Sequence, residues 1–217
     1  MNPSNSLNKL FRTIRWRLES LKRVSFRAAS PRLADQEINR QIAFTCIETH
    51  TAWSNFIRAY YLSLIFQPRT VHNLPIRIAP PRPISSPTDA LDFAIRYLKN
   101  QHHVPAGTVW QSRDEPSWFP PETLKKLSRE VRASNQQNIE FALNFQTDTF
   151  RVLPKFRHYF AHRNRDLATI ASNFGPAYGT SAKTRPWHIL TSCHNRRDPL
   201  IVEWLDDLLL IAQTICD

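Results

Sequence analysis

Residues 153–164 read LPKFRHYFAHRN, and the rest of the chain is best read outward from them. Within Arg157–Arg163 stand a guanidinium, two imidazoles and a second guanidinium, in a stretch that also carries Phe156, Tyr159 and Phe160. The segment has an apolar lead-in and an aromatic pair, and Thr147 or Asp148 can cap it, so it reads as a helix. Pro154, one turn before Arg157, predicts an interruption and a kink. On a helix, His158 and His162 share a face at i and i+4. Arg157 and His162 are five residues apart, a rotation of ~140° at about 100° per residue. One helix cannot easily surround an anion with that second pair.

The motif lies in the most basic part of the chain. Residues 150–197 hold nine Lys/Arg against Asp166 alone, while the last twenty residues hold five acids and no Lys or Arg. Residues 1–37 hold eight Lys/Arg against three acids, and the whole chain of 217 residues carries a formal charge of +11. Such a balance favours polyanionic partners, nucleic acid above all. Apolar residues make up 41% and aromatics 11%, which excludes a disordered chain and suits one sizeable core.

Three glycines against sixteen prolines suit long helices joined by proline-punctuated loops. Leu7, Leu10, Phe11, Ile14, Leu18 and Leu21 recur at three and four residues, an amphipathic helix that Pro31 closes. Residues 36–66 form a long helix with no Gly or Pro before Pro68. From Pro68 to Pro87, six prolines in twenty residues forbid regular helix. That stretch, with Arg69, Arg77 and Arg82, reads equally as a strap over a ligand or a solvated linker. Thr88 or Asp89 caps a helix to about Asn100; Pro121 opens another, and helical patterning continues from Val131 to Phe145. Asp198 and Pro199 start the last. Little alternates with period two, so the fold class is all-α. The expected division is 1–37, a basic amphipathic helix or arm, and 38–217, the helical domain.

Several chemistries are excluded by their missing signatures: no Walker A loop, no GxGxxG, no HExxH, no GxSxG. Cys193-His194 near His188 lacks a second ligand pair, so no metal or other cofactor is expected. His102-His103 reads as a helix end. Cys46 and His50, at i and i+4, read as one helical turn and not as a site. Three scattered cysteines form no disulfide framework, and no apolar run reaches a membrane span, so a reduced cytoplasmic setting and no membrane are expected.

The Arg, four residues, His spacing resembles the R-x4-H signature of the HEPN superfamily. The match extends through Leu153–Asn164, and residues 48–61 resemble the long early helix of that family. The resemblance covers roughly residues 38–170. It implies an antiparallel helical bundle and a metal-independent endoribonuclease leaving 2′,3′-cyclic phosphate and 5′-hydroxyl ends. Such proteins are commonly toxins or antiviral defence effectors, restrained by an antitoxin or a defence-system partner. A histidine moves protons near neutral pH, and an arginine is a permanent forked cation for phosphate, so the residue types fit. The resemblance assigns His162 as general acid/base and Arg157 as phosphate clamp, with His158 supporting. Glu48, or alternatively Asn55, would orient an imidazole; Arg58, Arg163 and Asn164 would contact RNA. A homodimer would bring two motifs to a two-fold axis. The rival expectation is an HEPN-like module that binds nucleic acid or protein without cleaving. A DNA-binding protein using its basic N-terminal helix is a third.

Overall fold

The computed structural model describes residues 1–30, 33–101, 105, 108–194 and 196–217. These residues form nine α-helices and no strand. The helices are α1 (Leu7–Ala28), α2 (Asp35–Ser63), α3 (Pro87–Lys99), α4 (Pro121–Glu130) and α5 (Gln136–Leu143), then α6 (Thr149–His162), α7 (Arg165–Ser172), α8 (Pro186–Thr191) and α9 (Leu200–Cys216). The all-α expectation therefore stands. His102 and His103 lie outside the described residues. No helix among the described residues is long and apolar enough to cross a membrane.

The chain forms two compact units, one of residues 1–13, 53–145 and 211–217, the other of 14–52 and 146–210. Their boundaries fall inside α1, α2 and α9 and between α5 and α6.

In the first unit, Trp53, Phe56, Tyr60 and Tyr61 of α2 are buried, with Trp118 against Tyr61 at 5.8 Å between ring centres. The first half of the proline-rich segment is not a free linker. Its backbone is bonded in: Arg69 N–H donates to Asn5 at 3.0 Å, Val71 N–H to Cys216 at 2.9 Å, and Ala79 N–H to Val131 at 2.9 Å. Helix α3 begins two residues earlier than a Thr88 cap implies. Ser86 is the cap, its hydroxyl accepting from Asp89 N–H, and Pro87 supplies a preset φ at the first turn. The expected helical run from Val131 is broken, because Arg132 adopts a left-handed conformation (φ 49°) between α4 and α5.

In the second unit the motif helix α6 is continuous, with Pro154 inside it rather than ending it. The α1 segment is docked and is not an arm. Ile14, Leu18 and Leu21 are buried. Lys22 donates to both carboxylate oxygens of Asp206 on α9, at 2.6 and 2.7 Å. The apolar stripe that made this helix legible is what removes it from solvent.

Replacing Leu18 with Ala is expected to cost about 2–5 kcal/mol, as for any buried leucine. Urea unfolding measures this; a loss below ~0.5 kcal/mol would restore the projecting-arm picture.

Candidate active site at the end of the sixth helix

The rotation of α6 about its own axis sets which side chains it offers. Val152, Leu153, Phe156 and Phe160 form its buried stripe. Phe156 meets Trp204 edge-on at 5.9 Å and Phe174 at 6.3 Å. The helix start is held by Thr147, whose hydroxyl accepts from Thr149 N–H at 3.1 Å and donates to Asp207 at 2.5 Å. With that stripe inward, Arg157 falls on its flank, half-buried, while His158 and His162 point away and are exposed.

The two histidines meet edge to face, 4.7 Å between ring centres. His162 sits in the last turn, and Arg163 closes the helix in a left-handed conformation (φ 48°), its N–H donating to Tyr159 at 2.6 Å. Asn164, expected on substrate, spends its side-chain oxygen capping α7 by accepting from Leu167 N–H at 2.8 Å. Asn164 is exposed.

Arg157 lies against the Cys46–His50 turn of α2. Cys46 Sγ is 4.0 Å from the Leu153 carbonyl, which places this turn of α2 beside α6. Burial pushes the Cys46 thiol well up, and the Arg157 charge only partly offsets it, so the thiol stays protonated. Burial, and then the Arg157 charge, hold the His50 imidazole down at about 4. His50 is therefore neutral at physiological pH. Cys46 and His50 do share one turn of α2, as expected, and that turn is the immediate environment of Arg157. A helical histidine four residues from a cysteine carries no sequence signal of its own. What reveals it is the pairing with α6.

The guanidinium Nε of Arg157 is buried without a hydrogen-bond partner, and among the described residues no carboxylate pairs with Arg157. Arg58 is the contrast. It donates to both oxygens of Glu115, at 2.6 and 2.8 Å, so it is a structural ion pair and not a free RNA-binding cation. Glu48 lies with Phe44 and Ala52 in a groove of about 270 Å³ that faces Trp16 and Arg17 of α1. Two residues along a helix are about 200° of rotation, so Glu48 occupies the far side of α2 from Cys46 and His50. Asn55 lies in the other compact unit, half-buried. The structure thus brings Arg157 to His50 and His158 to His162. No hydrogen bond or ring contact joins Arg157 to His162 among the described residues. Nor do the described residues gather three or more His, Cys, Asp or Glu where they could hold a metal ion.

No protein-family model, curated protein or solved structure matches this chain.

The low value of His50 has a signed consequence. The unfolded imidazole titrates near ~6.5 and the folded one at about 4. Between those values the unfolded chain holds the extra proton, so His50 contributes stability above pH ~6.5 that is lost as pH falls toward 4. Urea midpoints from pH 7.5 to 4.5 are expected to fall less for His50→Gln than for the parent. Equal slopes in the two proteins would refute the buried neutral imidazole.

Proposed function

We propose that this chain is a metal-independent endoribonuclease with an HEPN-like helical bundle, using Arg157 and His162 on RNA. The observation that carries the reading is the half-buried Arg157, which has no carboxylate partner and lies beside a neutral His50. A structural arginine in such a setting is normally neutralised, as Arg58 is by Glu115. A half-buried positive charge without a carboxylate partner suits a phosphate oxygen.

In the proposed reaction the 2′-hydroxyl oxygen attacks the adjacent phosphorus, and the bond from phosphorus to the 5′-oxygen breaks. His162 transfers a proton at one end of this displacement, taking it from the 2′-hydroxyl or giving it to the departing oxygen. Arg157 holds the charge that gathers on the phosphoryl oxygens. His158, in ring contact with His162, orients it. Arg163 and Asn164 flank the exposed helix end, where Arg163, with no ion pair among the described residues, can meet a neighbouring phosphate. Because Arg157 and His162 diverge by ~140° on one helix, a second copy is the natural source of the complementary group. The reading includes a homodimer with a composite cleft, and a toxin or defence role with a restraining partner.

The test is cleavage of mixed cellular RNA in EDTA, with product ends mapped. The parent is expected to leave cyclic phosphates. His162→Ala should lower the rate by about 10²–10⁴-fold while RNA binding persists. No cleavage by either protein, with RNA bound equally by both, would replace the nuclease with a non-catalytic binding module.

A further inference from the structure

A second feature lies beside the motif and has no part in the proton transfer. Asp35, Gln36 and Asn39 of α2, Tyr159 of α6, and Arg185 and Trp187 at the start of α8 line an open cavity of about 360 Å³. All six belong to the same compact unit as Arg157 and His162. Tyr159 belongs to the motif itself. It stands three residues before His162, about 60° away around the helix, so the two are surface neighbours.

The lining has the makings of a base-reading site. Trp187 lies nearly parallel to the His188 ring, 5.4 Å between centres. An aromatic plate is what unpaired bases stack on. The Asn39 side-chain oxygen is buried and has no hydrogen-bond partner among the described residues. An amide left in that state requires a donor. Gln36, three residues earlier on the same face, adds a second amide. At the rim Arg185 is tied to Asp35 by an exposed 3.2 Å pair, of the weak surface kind that a phosphate can displace.

We infer that this cavity is a nucleobase subsite, and that it selects adenine next to the scissile phosphate. The inference rests on the RNA-directed reading above and adds its specificity. An asparagine amide matches adenine in a bidentate way, its oxygen accepting from the exocyclic amine and its nitrogen donating to the neighbouring ring nitrogen. Guanine offers two acceptors on that edge, and these leave the Asn39 oxygen unsatisfied. Uracil lacks the exocyclic amine. Cytosine has one but gives Trp187 a smaller face to stack on.

The experiment uses full-length protein and short RNAs identical but for one base, made with 2′-O-methyl groups so that they cannot be cleaved. Fluorescence anisotropy gives their affinities. The adenine probe is expected to bind tightest. Trp187→Ala should weaken it by about 5- to 150-fold, the range for losing one stacked base, and Trp187→Phe should recover most of that. Asn39→Ala should flatten the preference among bases while the salt dependence of binding stays as in the parent. Far-ultraviolet circular dichroism confirms that each variant keeps its helices. Undiminished adenine preference in both Ala variants, or a parent preference for another base, would overturn the subsite. His162→Ala separates the two readings. Adenine preference retained by a parent that cleaves nothing would leave the subsite standing without the nuclease. Cleavage that ignores the base would do the reverse.

Discussion

One packing constraint governs everything that the candidate site presents: the seating of Phe156. Its ring is wedged between Trp204 and Phe174, and with Leu153 and Phe160 it fixes the azimuth of α6. Close-packed interiors do not let a helix turn by a few tens of degrees without opening voids. Once Phe156 is inward, the other positions have no freedom. Arg157 must lie on the flank toward α2, and His158 and His162 must lie outside. A polar group placed at 156, or a small one, would release the helix, and the order of cations around it would be lost with the packing.

The second constraint is electrostatic. The basic stretch 150–197 and the acidic last twenty residues do not simply cancel. Several acids of this unit are already engaged. Asp206 takes Lys22, Asp207 takes Thr147, Glu203 faces Arg196 and Asp148 takes Arg151 and Tyr178. Arg157 is left with a neutral imidazole and a protonated thiol. A carboxylate at position 50 would have tied up the guanidinium and made it a structural residue like Arg58. Histidine, held uncharged by burial and by the arginine itself, supports the charge without consuming it.

The all-helical class, the long α2 and the amphipathic α1 were legible because each rests on local rules: periodic apolar residues, few glycines, prolines confined to ends and loops. The ends that were misplaced show where local rules compete. Ser86 outbid Thr88 as a cap because Pro87 fits the first turn, and Arg132 broke a pattern that composition alone would have continued. Pro154 sits inside a helix because packing by its neighbours on both sides holds that helix together. The candidate site was half legible. Arg157, His158 and His162 stand in one short run and announce themselves. His50 and Asn39 come from α2, over a hundred residues away, and nothing in their own neighbourhood marks them. Glu48 drew attention by its charge, yet the period of 3.6 residues turns it to the α1 side and gives its place to His50.

That same period divides the work on α6. Arg157 and Tyr159 are about 200° apart on the helix, so the cation and the wall of the polar cavity are served by opposite flanks of the buried stripe. His162 is angularly closer to Tyr159 than to Arg157. Within one copy of the chain, the imidazole therefore neighbours the group proposed to read a base, and not the group proposed to hold the phosphate. A strand of RNA laid along this helix end would place a base in the Tyr159–Trp187 cavity and its phosphate near His162. The Arg157 that completes such a site is more readily supplied by a second copy than by bending the same helix. The proposed subsite and the proposed dimer thus draw on one helical repeat, and each would make the other geometrically easier to satisfy.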